Sequence, residues 1–247
     1  MPFTELCITS NFSFLAGGSH PEEYARRAAE LGMAAFAVAD RNSVSGIVRA
    51  HSELRAIARE VAEAQARSRG EVTGPSTLAH ALPPDTVVPR LIPAARVCLS
   101  GGLEATALPA DRAGWGNLCK LLTRGRRRAP KGECELHLAD LLELGGNICW
   151  LIHPPQGTTL RGGARAWLRQ ARRLTRRFAD CHLAAAPRYD GLDAGRFDRL
   201  ARVAAGLGIP LVATAAPLKI PTTPRHQGSA PWRHPVIPAT TQTNMYG

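Results

Sequence analysis

A chain of 247 residues with 45% apolar side chains can bury one sizeable core, or one core with a tail, and no apolar run approaches the roughly 18 residues that span a bilayer. A membrane protein is therefore not expected, and a soluble globular one is. The formal net charge of +11 is concentrated: residues 120–131 carry six basic side chains and no acid, residues 161–177 carry seven arginines and no acid, and the rest holds 18 basic against 20 acidic. Two basic tracts on a near-neutral remainder point to a polyanionic partner rather than to general basicity.

The first strand is expected within Thr4-Glu5-Leu6-Cys7-Ile8-Thr9, followed by the polar loop Ser10-Asn11-Phe12-Ser13. Ser19-His20-Pro21-Glu22-Glu23 then opens a helix over 21–32 with an early proline and two acids in its first turn. A second strand over 34–39 delivers Asp40-Arg41 at its end. This order brings the polar ends of two strands to one side of a parallel sheet, where α/β folds build their sites. The opening Met1-Pro2-Phe3-Thr4 lacks a basic start and an apolar stretch, so no secretory signal is expected and the location is read as cytoplasmic. The six cysteines, at 7, 98, 119, 134, 149 and 181, form no Cys-x-x-Cys pair and no zinc-ligand spacing, and read as reduced thiols.

Further along, a longer helix is expected over 43–67, and the Gly/Pro-bearing stretch 70–89 reads as an exposed insertion. Strand candidates over 91–99 and 103–108 flank the turn Ser100-Gly101-Gly102, with an antiparallel hairpin as one option. Asp111 caps a helix that Gly125 is expected to end, which leaves Arg124, Arg126, Arg127, Arg128 and Lys131 on a basic loop suited to phosphates. A short helix over 138–144 precedes a strand over 147–152 that exits at His153. In the helix expected over 163–178, Trp167, Ala171, Leu174 and Phe178 form an apolar stripe, and Arg165, Arg169, Arg172 and Arg176 form a second stripe about 200° around it. A strand over 182–186, a helix over 193–207 and a strand over 209–214 complete an alternation that fits an α/β barrel or a doubly wound sheet. From Pro217 onward the chain is rich in Pro and Thr and holds no acid, so residues 217–247 are expected to be a disordered tail behind a domain over 1–216.

Several stretches resemble the N-terminal region of the bacterial error-prone DNA polymerases, relatives of the replicative polymerase III alpha subunit. They include Ser10-Asn11-Phe12-Ser13-Phe14-Leu15, Ala28-Ala29-Glu30-Leu31-Gly32, Ser45-Gly46-Ile47-Val48-Arg49-Ala50-His51, Asn117-Leu118-Cys119-Lys120-Leu121-Leu122-Thr123-Arg124-Gly125-Arg126, Lys131-Gly132-Glu133-Cys134 and Gly208-Ile209-Pro210-Leu211-Val212-Ala213-Thr214. The resemblance implies a PHP domain (polymerase and histidinol phosphatase), a distorted seven-stranded β/α barrel whose metal-binding members hold divalent cations. It also implies that this chain has lost most of the ligands. Cys7 and Thr9 stand where metal-binding members have a His-x-His, Arg41 follows Asp40 where they have Asp-His, Arg96 replaces a glutamate, and Ala215 and Ala216 replace an Asn-Asp pair. The tail departs from the family's continuation into the polymerase palm, so a truncated or frameshifted reading frame is expected.

These readings give no catalytic residue, no metal ligand set and no cofactor. Asp40 alone survives of the expected ligands, and one carboxylate does not hold a catalytic metal. Arg41 and Arg96 are expected to pair with Asp40 in place of a cation, against the simpler alternatives of an uncoupled exposed pair or residual metal binding. His20, His51 and His137 read as surface or capping histidines, and His153 and His182 as weak candidates for the barrel mouth. Cys7 reads as a buried structural cysteine. The function expected first is a non-catalytic structural or interaction module related to polymerases of translesion synthesis, DNA replication and repair, with DNA or other polymerase or mutagenesis-complex subunits as partners. A metal-dependent phosphoesterase or exonuclease using Asp40, His153 and His182 is one alternative. A basic nucleic-acid-binding protein without catalysis is the other, while a solvated face or a protein-binding site remain simpler readings of the basic tracts.

Overall fold

The computed structural model describes residues 3–71, 82–155 and 163–220. Its elements run β1 (Thr4–Ile8), α1 (Pro21–Glu30), β2 (Ala35–Val38), α2 (Ser45–Ser68), β3 (Arg90–Pro93), β4 (Ala95–Cys98), β5 (Glu104–Pro109), α3 (Arg112–Arg128), α4 (Leu138–Leu144), β6 (Ile148–His153), α5 (Gly163–Arg177), β7 (Cys181–Ala185), α6 (Asp193–Leu207) and β8 (Leu211–Ala213). The strands form a sheet in the order β1-β2-β3 and a second in the order β4-β5-β6-β7-β8. All neighbours are parallel except where β5 runs against β4 and β6.

Strand alternation divides the buried side chains into an inner and an outer set. In β2, Ala35 and Ala37 face inward, where they meet Leu6, Cys7, Ala39, Ile92, Ala94, Leu108, Cys149, Leu151 and Ala184; Phe36 and Val38 face outward onto α1 and α2. Alanine dominates the inner set because a narrow barrel interior has little room per strand. The outer face of the larger sheet packs against α3, α4, α5 and α6 through Trp150, Leu118, Leu121, Trp167, Leu174 and Leu200. The architecture is thus the α/β barrel implied by the resemblance, and β3 with β4 amounts to one strand bent at Ala94 that serves both sheets.

Two seams close the barrel. At the first, Arg41 and Arg96 form an isolated parallel bridge, with Arg96 N donating to Asp40 O (2.9 Å) and Asn42 N donating to Arg96 O (2.8 Å). At the second, β1 and β8 share no ladder. The Glu5 carboxylate bridges them instead, accepting from Thr214 Oγ1, from Ala215 N (2.7 Å) and from Cys7 N in its own strand (2.8 Å).

Several local expectations are corrected. The helix capped by Asp111, whose side chain accepts from Gly114 N at 2.7 Å, does not stop at Gly125 but runs to Arg128. Gly125 is buried in its wall because a Cβ there would lie 2.6 Å from Cys134 Sγ and 2.7 Å from Leu136, so this glycine marks a close approach rather than a terminus. The first basic tract is therefore largely the last turn of a helix, where cations suit the helix dipole. Of the expected insertion, residues 72–81 lie outside the described residues, but Leu82 is buried against α1 and α2 and its N–H donates to Glu60 (2.7 Å). Of the expected tail, residues 221–247 lie outside the described residues, whereas 217–220 are tied to the barrel. Pro217 O accepts from Thr9 N (3.2 Å), Leu218 O from Gly18 N (2.7 Å), and Ile220 N donates to Ser19 Oγ (3.0 Å).

Candidate functional site

The C-terminal ends of the parallel strands gather Thr9, Asp40, Arg41, Arg96, His153 and Thr214 at one rim, together with the start of the antiparallel β5, where Glu104 stands opposite His153. Asp40 follows β2 and is 1% exposed. Its carboxylate accepts from Ser10 N (2.8 Å), Ser10 Oγ (2.8 Å) and Ser13 Oγ (2.7 Å). Helix α2 begins hard against it, since a Cβ on Gly46 would lie 2.5 Å from Asp40 Oδ2. The expected Asp40–arginine pair is not formed. Arg41 turns outward to Glu104 at 3.2 Å, and only its backbone N–H returns to the site, donating to Ser13 Oγ at 2.9 Å. The reason is geometric: two serines in the loop after β1 reach the buried carboxylate by short side chains, and a half-exposed arginine keeps its charge in water against a partner on the rim.

Inside the rim runs a chain of contacts. His153 Nε2 is 2.8 Å from Thr106 Oγ1, and Thr106 Oγ1 is 3.7 Å from Cys7 Sγ. Arg96 lies in register with Thr106, and its Nε is buried without a hydrogen-bond partner among the described residues. Burial, reinforced by the Arg96 charge, holds His153 well below the ordinary histidine range, so the imidazole is neutral. Burial raises the Cys7 thiol to about 12; Glu5 adds to that shift and Arg96 opposes it, and the group remains a thiol rather than a nucleophilic thiolate. Glu5 is likewise raised by burial, against the lowering effect of its hydrogen bonds to Thr214, Ala215 and Cys7. Thr9 is buried, its hydroxyl unpartnered among the described residues. Ala215 and Ala216 present backbone N–H groups to Glu5 and Thr214, not side-chain ligands.

The donor set does not fit the metal cluster of a PHP phosphoesterase. Two adjacent cations need several oxygen or imidazole ligands converging on one space. Here three of the roughly four acceptor positions of Asp40 are filled by protein donors. Of the remaining groups, Arg96 repels cations and Cys7 is protonated. His182 does not join the rim. It lies near the start of β7 beside Cys149, at the far end of β6 from His153, so the expected grouping of Asp40, His153 and His182 is not formed.

The basic residues divide sharply. Arg124 pairs with Glu143 (2.6 Å) and Asp140 (3.5 Å), Arg128 with Asp140 (2.7 Å), and Arg126 donates to Asn42 O (3.1 Å). Arg127 and Lys131 are exposed with no ion pair among the described residues, and so are Arg165, Arg169, Arg172 and Arg176 along the outer face of α5. The opposite face of that helix is buried through Trp167, Ala171 and Leu174, with Trp167 Nε1 donating to His153 O at 2.9 Å. Of the other histidines, His20 and His137 sit at the starts of α1 and α4, and His51 is exposed on α2. Glu5 is the site residue that sequence reasoning missed. Its signal was an acid followed by three apolar residues in the first strand, and its partners across the seam lie 209 and 210 residues away.

The chain is 45% identical over 224 residues to an error-prone DNA polymerase of Ruegeria pomeroyi, covering 86% of this chain and 20% of that protein. This chain is a partial homologue of the error-prone DNA polymerases. A polymerase of the same name from Rhodopseudomonas palustris is 37% identical over 214 residues, and one from Bradyrhizobium sp. is 36% identical over 221. The homologue spans between 16% and 20% of the length of these three relatives. No family profile matches it. Among solved structures, it shares its fold with a candidate metal-dependent phosphoesterase from Bifidobacterium adolescentis (TM-score 0.51, 10% identity, 87% of this chain and 88% of that one). It also shares it with an amidohydrolase from Chromobacterium violaceum solved with sulfate and no metal (TM-score 0.52, 15% identity, 85% and 86%). No described helix is long and apolar enough to cross a membrane.

Proposed function

We propose that this polymerase homologue is a PHP-type barrel without hydrolytic activity, acting as a structural and interaction module in error-prone DNA synthesis and touching DNA through the arginine stripe of α5. The observation that carries the first half is the rim itself: a buried carboxylate occupied by three serine donors, with a cationic Arg96 and a neutral His153 behind it. Such a site lacks both the ligands to hold a cation and a base or nucleophile open to substrate. Beside the rim, Phe14 and Leu15 are 86% and 92% exposed, an apolar pair suited to contact with another part of a polymerase.

The DNA contact rests on Arg165, Arg169, Arg172 and Arg176, four cations spaced along one exposed helix face without protein carboxylates to occupy them among the described residues. Phosphates are the partner such a row suits, and with no base-reading element the contact is independent of sequence. The test is duplex binding against salt. Changing these four residues to alanine is expected to weaken binding and to lower the salt slope by about 0.9 for each phosphate no longer neutralised. An unchanged slope overturns the DNA assignment, and hydrolysis of a generic phosphodiester by the purified chain with manganese or zinc overturns the inert barrel.

A further inference from the structure

At the other end of the barrel stands a group of side chains that the rim does not use. Strands β6 and β7 are parallel neighbours in which Trp150 pairs with Cys181 and Leu151 with His182, so Cys149 stands one step ahead of this ladder, level with Asp180 and diagonal to His182. Cys149 is the second residue of β6, His182 the second of β7, and Asp180 immediately precedes β7. Cys149 Sγ lies 3.7 Å from His182 Nδ1, and His182 Nδ1 lies 3.6 Å from Asp180 Oδ1; all three ligand atoms fall within 4.8 Å of one another. We propose that Cys149, Asp180 and His182 form a zinc site at the base of the barrel.

Three features converge on zinc. The first is spacing. With zinc bonds of about 2.3 Å to sulfur and about 2.0–2.1 Å to nitrogen and oxygen, a tetrahedron sets sulfur and nitrogen about 3.6 Å apart and nitrogen and oxygen about 3.4 Å apart. The observed 3.7 and 3.6 Å need only a few tenths of an ångström of closure. The second is donor type: one thiol, one imidazole and one carboxylate suit a borderline metal and not magnesium or calcium, which take oxygen. The third is access. Cys149 and His182 are 1% and 8% exposed, fixed by the strands that carry them, whereas the Asp180 side chain is 52% exposed and opens the group to solvent. Asp180 thus supplies both an entry path and room for a water in the fourth position. Cys181 takes no part, because its Sγ turns away to Phe178 O at 3.4 Å.

Binding replaces the Cys149 thiol proton, which leaves to solvent, and joins zinc to sulfur, nitrogen and oxygen across the two strands. The site lies away from the rim, so it stands or falls separately from the proposed function. The probe is cobalt(II), followed by zinc, on the full purified chain. One equivalent of cobalt is expected to give a thiolate-to-cobalt charge-transfer band that zinc displaces and magnesium does not. Cys149→Ser is expected to abolish the band, while Cys181→Ser keeps it. Asp180→Asn, at an exposed position that leaves the circular dichroism unchanged, is expected to weaken binding by about tenfold or more, since loss of even a supporting group costs a zinc site that much. Absence of the band in the native chain overturns the proposal and leaves a hydrogen-bonded trio. Persistence of the band in Cys149→Ser, or full affinity in Asp180→Asn, overturns it as well.

Discussion

Replacing Asp40 with alanine separates a structural carboxylate from a metal ligand. The side chain is buried and accepts three hydrogen bonds, from Ser10 N, Ser10 Oγ and Ser13 Oγ. Bonds to a charged acceptor are worth about 1.5–3 kcal/mol each. The two hydroxyls can turn toward other acceptors, but the Ser10 N–H cannot, and it is left buried without a partner. A net loss of about 3 kcal/mol follows, a large fraction of the roughly 5–15 kcal/mol that holds a domain folded. With a urea slope near 2 kcal/mol per molar, the unfolding midpoint falls by roughly 1.5 M. The decisive comparison is the same pair of curves with and without EDTA. Hydrogen bonds to serine are indifferent to a chelator, so the gap between native and variant is expected to be equal in both. A gap that closes in EDTA, or one below about 0.5 kcal/mol, refutes the assignment of Asp40 to the serines.

Two further expectations rest on the helix that carries the first basic tract. The hydrogen bonds from Arg128 hold the Asp140 carboxyl down at about 2, against burial. Because this value lies below that of an unfolded aspartate, the stability Asp140 contributes is present above about pH 4 and is lost as pH falls through about 2. Asp140→Asn is therefore expected to flatten the urea midpoint between those pH values, and an equally steep acid dependence contradicts the pairing. Gly125→Val is expected to cost about 1–3 kcal/mol by forcing Cys134 and Leu136 apart, seen as a lower thermal midpoint; an unchanged midpoint contradicts the close packing of that turn.

How much of this was legible in the sequence depended on the range of the interaction. The two stripes of α5 follow from helical spacing alone: the structure buries Trp167, Ala171 and Leu174, half-buries Phe178 just past the helix end, and exposes the arginines. The order of strands and helices was legible for the same reason, and it put Asp40 at a strand end. What Asp40 touches was not. Arginine was the chemically obvious partner, yet the serines of the preceding loop reach the carboxylate first, and no periodic pattern encodes a loop that folds back. Gly125 misled because a glycine near a helix end has two meanings, a left-handed terminus or a close approach, and only the position of Cys134 and Leu136 chooses between them. The Glu5 seam and the Cys149, Asp180 and His182 group lie beyond reading by spacing. Their partners meet across strands, at separations of 209 and 33 residues, where a search for adjacent cysteines finds nothing.

The rim around Asp40 is proposed to assemble no divalent-metal cluster. This is tested most directly by an anomalous difference map from crystals soaked in manganese. No peak is expected within bonding distance of the Asp40 carboxylate, which stays on Ser10 and Ser13. A manganese peak bonded to Asp40, with the serines displaced, would contradict it.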